Sequence, residues 1–129
     1  MKIKLFKSSA DIDILVGQDD ASNDYLSLKL ANANDLWFHI SGFPGSHVVL
    51  RCADCEEDRD SIKEAASLAA WFSKMRNGKN VAVHYCMAKY VTKPHKAKAG
   101  TVNIKKMKKI KVNPKLLENS EWFEPVLRK

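Results

Sequence analysis

A chain of 129 residues with 45% hydrophobic and 29% charged residues has the makeup of one folded domain with one core, which excludes wholesale disorder. No run approaches the roughly 20 apolar residues of a membrane helix. The opening Met1-Lys2-Ile3-Lys4-Leu5 lacks the apolar core of an export signal, so the expectation is a cytoplasmic protein with a single domain over residues 1–129. The formal charge of +7 is uneven: residues 65–117 hold 13 of the 22 Lys and Arg residues and no Asp or Glu, while the remainder sums to −6.

In chain order, Ile12 to Val16 reads as a strand ended by Gly17. Asn23 to Ala31 reads as a short helix, although Leu26, Leu28 and Leu30 fit a helical face imperfectly. Asp35 to Ile40 and Ser46 to Arg51 form two β-prone runs around the turn Ser41-Gly42-Phe43-Pro44-Gly45, a hairpin pattern. Residues from about 58 to 77 predict one long helix, since Ile62, Ala65, Ala66, Ala69 and Phe72 share a face. Acids crowd its front, Lys74 and Arg76 its back, and Asn77-Gly78 supplies a stop. Val81 to Met87 is a strand, which Tyr90-Val91-Thr92 extends before Pro94. Thr101 to Ile104 and Lys109 to Val112 predict a closing hairpin, and Trp122 and Phe123 anchor the tail. The fold class is therefore α+β, a mostly antiparallel or mixed sheet with the long helix packed on it.

Uneven positive charge calls for a polyanion, nucleic acid ahead of an acidic membrane surface. On a strand, alternate residues share a face, so Trp37 and His39 lie together, and a paired return strand brings His47 and Arg51 to that same side. Rings beside a guanidinium suit base stacking and phosphate contact. The loop Lys89 to Gly100 places Lys89, Lys93, Lys96 and Lys98 where ammonium groups can follow a phosphate backbone, with Thr92 adding a hydroxyl. Lys105 and Lys106 belong to a dense positive tip.

Cys52 and Cys55 have the Cys-x-x-Cys spacing of half a zinc site, and His84 and Cys86 lie downstream. The 28 residues from Cys55 to His84 exceed the ordinary gap of about 12–20, so these four are weak ligand candidates and no cofactor is expected. Ser46, His47, His39 and Asp35 form a poor hydrolytic set, because Ser46 and His47 are adjacent and point to opposite faces. A binding module is favoured over an enzyme; an enzyme or accessory in tRNA modification is the alternative.

Asp35-Leu36-Trp37-Phe38-His39 followed by Pro44-Gly45-Ser46-His47-Val48-Val49 resembles the signature of the NFACT-R domain, the RNA-binding domain of ribosome quality-control factors. Ile14-Leu15-Val16-Gly17 with Asn23-Asp24-Tyr25-Leu26 is similar to that family's opening. Ala69 to Lys74, Val83 to Tyr85, Lys89 to Pro94 and Lys98-Ala99-Gly100 follow in order. The resemblance covers about residues 12 to 112. It implies an α+β fold and binding of tRNA or ribosomal RNA, with the large ribosomal subunit as a further partner. It also implies functional weight on Asp35, His39, Ser46, His47, Arg51, Lys89 and Lys93. Pro94-His95-Lys96 departs from the Pro-x-Gly common in the family, which leaves the path of RNA past this loop open.

Overall fold

The computed structural model describes residues 1–52 and 58–124. Nine strands and two α-helices follow one another as β1 (Ile3–Lys7), β2 (Asp13–Gly17), α1 (Asp20–Tyr25), β3 (Leu36–Ile40), β4 (Val48–Leu50), α2 (Arg59–Trp71), β5 (Val81–Met87), β6 (Val91–Thr92), β7 (Asn103–Ile104), β8 (Lys108–Val112) and β9 (Glu121–Phe123). Seven strands form one antiparallel sheet in the order β8-β5-β3-β4-β2-β1-β9, and β6 and β7 form a separate antiparallel ribbon.

Period-two alternation divides the large sheet between two cores. Phe6, Ile14, Val16, Leu36, Phe38, Val48, Leu50 and Val83 pack with Ile62, Ala65, Leu68 and Ala69 of α2. The opposite face presents Ile3, Leu15, Trp37, Val49 and Cys86, which pack with Leu26, Val91, Val102 and Ile104. The ribbon thus lies over the sheet face that α2 leaves free, alongside the segment after α1.

The helix α2 has 13 residues and ends well short of residue 77. Its start is set by Asp58, whose carboxylate accepts from the Ser61 amide at 3.2 Å. Its end is set by competition for the backbone. Ser46 donates its amide to Phe72 O at 2.9 Å, Lys74 donates to Pro44 O at 3.2 Å, and Gly45 bridges Ser73. The tip of the β3–β4 hairpin therefore draws residues 72–74 out of the helical ladder. A Cβ on Gly45 would meet the Ser73 Cβ at 2.8 Å, so this approach requires glycine.

Near the N-terminus, Ile3–Lys7 forms a strand that the sequence reading does not predict. The predicted helix at residues 23–31 begins earlier and changes type. After the α-helical turn Asp20–Tyr25, the segment Leu26–Leu30 is a π-helix, closed by Ala31 N donating to Leu26 O at 2.9 Å. The widened turn accounts for the imperfect periodicity of the three leucines.

The predicted hairpin between Thr101–Ile104 and Lys109–Val112 does not form. Ile104 pairs with Val91 in the ribbon, and Lys108–Val112 pairs with β5, Ile110 opposite Val83 and Val112 opposite Val81. The two halves bury their apolar residues in different cores, Ile104 below the ribbon and Val112 against α2, so they cannot share a turn. Val91 and Thr92 accordingly join the ribbon, and Tyr90 ends a short 3-10 turn instead of extending β5. At the far edge, Phe123 packs into the second core while Trp122 remains 57% exposed beside the Lys4 ammonium, 5.3 Å from its ring; only Phe123 anchors the tail. Edge strand β8 carries exposed Lys108, Lys109 and Lys111, side chains that discourage pairing with a further strand.

Phe38 is fully buried and stacks on Tyr85, ring centroids 5.4 Å apart. Phe38→Ala is expected to cost about 3–5 kcal/mol of stability, read as a lowered denaturant midpoint with an unchanged slope.

Candidate nucleic-acid interface

The hairpin pairs as its sequence predicts: Trp37 faces Val49 and Phe38 faces Val48. His39 and His47 meet edge to face, 5.5 Å between ring centroids, and Trp37 contacts both. The face they share, however, is the one beneath the ribbon and the π-helix. Trp37 and His47 are each 2% exposed.

A directional hydrogen-bond chain explains why these rings tolerate burial. The Trp37 indole N–H donates to Ser27 Oγ at 2.8 Å. An indole can only donate, so Ser27 has its own proton left for His47 Nδ1, at 2.7 Å. The Gly100 backbone also lies beside the ring and favours its proton-bearing nitrogen. The His47 amide donates to Asn23 Oδ1 at 3.0 Å. Burial pushes the His47 pKa down to about 4, with repulsion from His39 adding to it. Burial also lowers His39, whose Nδ1 bonds the Ile40 carbonyl.

These placements correct the exposed stacking face expected of Trp37 and His47. A base cannot reach either ring without dismantling the core. Asp35 is also structural: it is buried, and its carboxylate accepts from the Asn32 amide at 2.8 Å. His39 remains half-buried at a cleft lined also by Asp20, Lys98, Gly100 and Thr101. Ser46 is half-buried with its amide engaged by Phe72, and Arg51 lies at the opposite end of β4 from His47, with its amide donating to Asp13 O.

The basic loop is held by an acid. Asp24 accepts from the Lys93 ammonium through Oδ2 and from the Gly100 amide through Oδ1, both at 2.9 Å. The Lys93 ammonium also bonds the Lys98 carbonyl. One carboxylate so ties Lys93 to Gly100 across the loop, and Lys93, through its ammonium, has a structural part in holding it. It is the only one of the 13 basic residues in 65–117 that is half-buried; the other twelve are exposed. Lys96 and Lys98 lie at this closed end of the ribbon. Lys89, Lys105 and Lys106 lie at the other end, and exposed Thr92 sits between them.

Of the weak zinc candidates, His84 and Cys86 lie on β5. Among the described residues no three His, Cys, Asp or Glu side chains converge on a point; Cys55 lies outside the described residues. His84 bonds Ser41 Oγ at 3.2 Å, and Cys86 is buried, its thiol pushed up to about 11 by desolvation. Sequence reasoning misses Ser27 and Asp24, since their partners stand 10 to 76 positions away. The one available signal is Asp24 within a segment similar to the family's opening. Among the described residues no helix is long and apolar enough to cross a membrane.

A two-core antiparallel α+β domain, displaying lysines at both ends of a β-ribbon, defines a basic binding module. The chain belongs to the family described as the NFACT protein RNA binding domain, whose profile matches residues 2–106. It is 38% identical over 112 residues to the Rqc2 homolog RqcH of Bacillus subtilis, covering 87% of this chain and 19% of the relative. The RqcH of Streptococcus suis is 42% identical over 102 residues, covering 78% of this chain and 18% of the relative. The chain therefore spans about a fifth of these curated relatives. Among solved structures, the C-terminal part of the fibronectin/fibrinogen-binding protein of Streptococcus suis superimposes with a TM-score of 0.84 at 36% identity, over 89% of this chain and 46% of that one.

Neutral burial of His47 has a pH signature. Its folded pKa lies below the unfolded value near 6.5, so the unfolded chain binds the extra proton between those values. Stability is full above pH 6.5 and falls as pH drops toward 4, by at most about 1.4 kcal/mol per pH unit from this residue. Urea titrations at pH 7.5, 6 and 5 are expected to show a steeper loss for the native protein than for His47→Gln; parallel profiles would contradict this.

Proposed function

We propose that this chain binds RNA through its phosphates, with tRNA or ribosomal RNA as the ligand, in ribosome quality control at the large subunit. The carrying observation is the acid-free stretch 65–117, five of whose exposed lysines stand at the two ends of one ribbon. Membership of an RNA-binding domain family and likeness to proteins named as Rqc2 homologs support the ligand class and the setting. Ammonium groups on a ribbon and its loop attract phosphate without reading sequence. Lys89, Lys96, Lys98, Lys105 and Lys106 carry this attraction, and Thr92 can donate a hydroxyl hydrogen bond between them. The half-buried His39 shares a cleft with Lys98 and adds to this surface, while Ser46 and Arg51 have a secondary share.

Neutralising about five phosphates gives a log–log salt slope of roughly −3.5 to −4.5. Fluorescence anisotropy of labelled tRNA and of a ribosomal RNA fragment, titrated from low to physiological salt, measures it. Removing one lysine, as in Lys96→Ala or Lys106→Ala, is expected to flatten the slope by about 1 without changing the unfolding midpoint. A slope near zero would overturn the electrostatic reading.

A further inference from the structure

The core takes the tryptophan, but it leaves two tyrosines at the end of β5. A cavity of about 210 Å³ is lined there by Leu36, Tyr85, Cys86, Met87, Tyr90, Lys106 and Lys108. It is smaller than the roughly 300–1,000 Å³ typical of sites for drug-sized molecules, a size suited to one ring system. Tyr85 is held by stacking on Phe38, rings 15° from parallel. Tyr90 has two cations beside it, the Lys89 and Lys106 ammonium groups 5.4 Å and 5.3 Å from its ring centre.

The backbone builds this arrangement deliberately. Ala88 N donates to Asp35 O and Lys89 N to Ala33 O, which fixes the turn carrying Tyr90. Lys105 N donates to Tyr90 O at 3.1 Å, and Lys106 adopts a left-handed φ of 51° that is uncommon outside glycine, asparagine and aspartate. Without that turn the chain would not bring the Lys106 side chain back over the ring. An apolar floor, two tyrosines and a rim of ammonium groups match the two halves of a nucleotide, a flat apolar base and an anionic phosphate.

We infer that the Tyr85–Tyr90 cavity is a slot for a single unpaired nucleobase, whose flanking phosphates sit on Lys89 and Lys106. This rests on the RNA-binding reading and sharpens it. The preferred substrate contains a single-stranded loop or end, because a paired base is already stacked and cannot enter.

Met87 lines the slot and supplies a reporter that needs no mutation: its methyl resonance must move when a base ring arrives beside it. The probes are a short oligouridylate and an abasic RNA of equal length. A Met87 methyl shift with oligouridylate and none with the abasic strand is the expected result. In parallel, Tyr90→Ala should weaken oligouridylate binding about 10-fold with the salt slope unchanged, and Tyr90→Phe should bind within about twofold of native. Should Tyr90→Ala fail to fold, the methyl shift and the Phe variant still decide. If both strands bind equally and the methyl stays still, the slot is overturned while phosphate binding stands. If neither strand nor folded tRNA binds at any salt, both readings fall.

Discussion

Ser27 has one proton and two partners, and much of this architecture follows from how they are shared. It accepts from Trp37 and keeps its own proton to give to His47 Nδ1. Burial keeps the imidazole neutral, and the ring also meets the Gly100 backbone. A hydroxyl in the π-helical segment thereby ties the central hairpin to the far end of the basic loop. Leaving any one of these groups unpartnered in the core would cost about 1–3 kcal/mol. The hairpin that looks like a binding surface is thus the keel on which the binding surface is mounted.

Asp24 completes the mounting from outside the core. Its carboxylate takes the Lys93 ammonium and the Gly100 amide together, so the loop between them is drawn shut. The acid also pairs with the half-buried lysine of this loop, leaving Lys96 and Lys98 exposed. Binding to a polyanion benefits from this order. Cations already fixed in position lose less conformational freedom when a phosphate chain arrives.

Much of the fold is legible in the sequence because alternation is a local signal. The strands at residues 13–17, 36–40 and 81–87 announce themselves through β-branched and aromatic runs, and the register that joins His39 to His47 follows from the turn between them. What escapes local reading is competition between distant segments. The helix from Arg59 stops at Trp71 because the tip of another hairpin takes the backbone of Phe72 to Lys74. Ile104 and Ile110 look like halves of one hairpin because both are apolar in basic surroundings, yet each answers to a different core. Similarly, Trp37 and His39 suggest a stacking surface by residue type alone. Only the placement of Ser27 and of the ribbon decides that this face is covered.

The distinction between an inward hairpin and an outward ribbon makes the account testable on one sample. Ultraviolet crosslinking of bound RNA, followed by mass spectrometry of the attached peptides, shows which side chains touch it. Adducts on Lys89, Tyr90, Lys96, Lys98 and Lys106, with Trp37 and His47 unmodified, are the predicted outcome. Adducts concentrated on Trp37 or His47 would mean that the hairpin opens to the ligand and that the burial described here does not govern recognition.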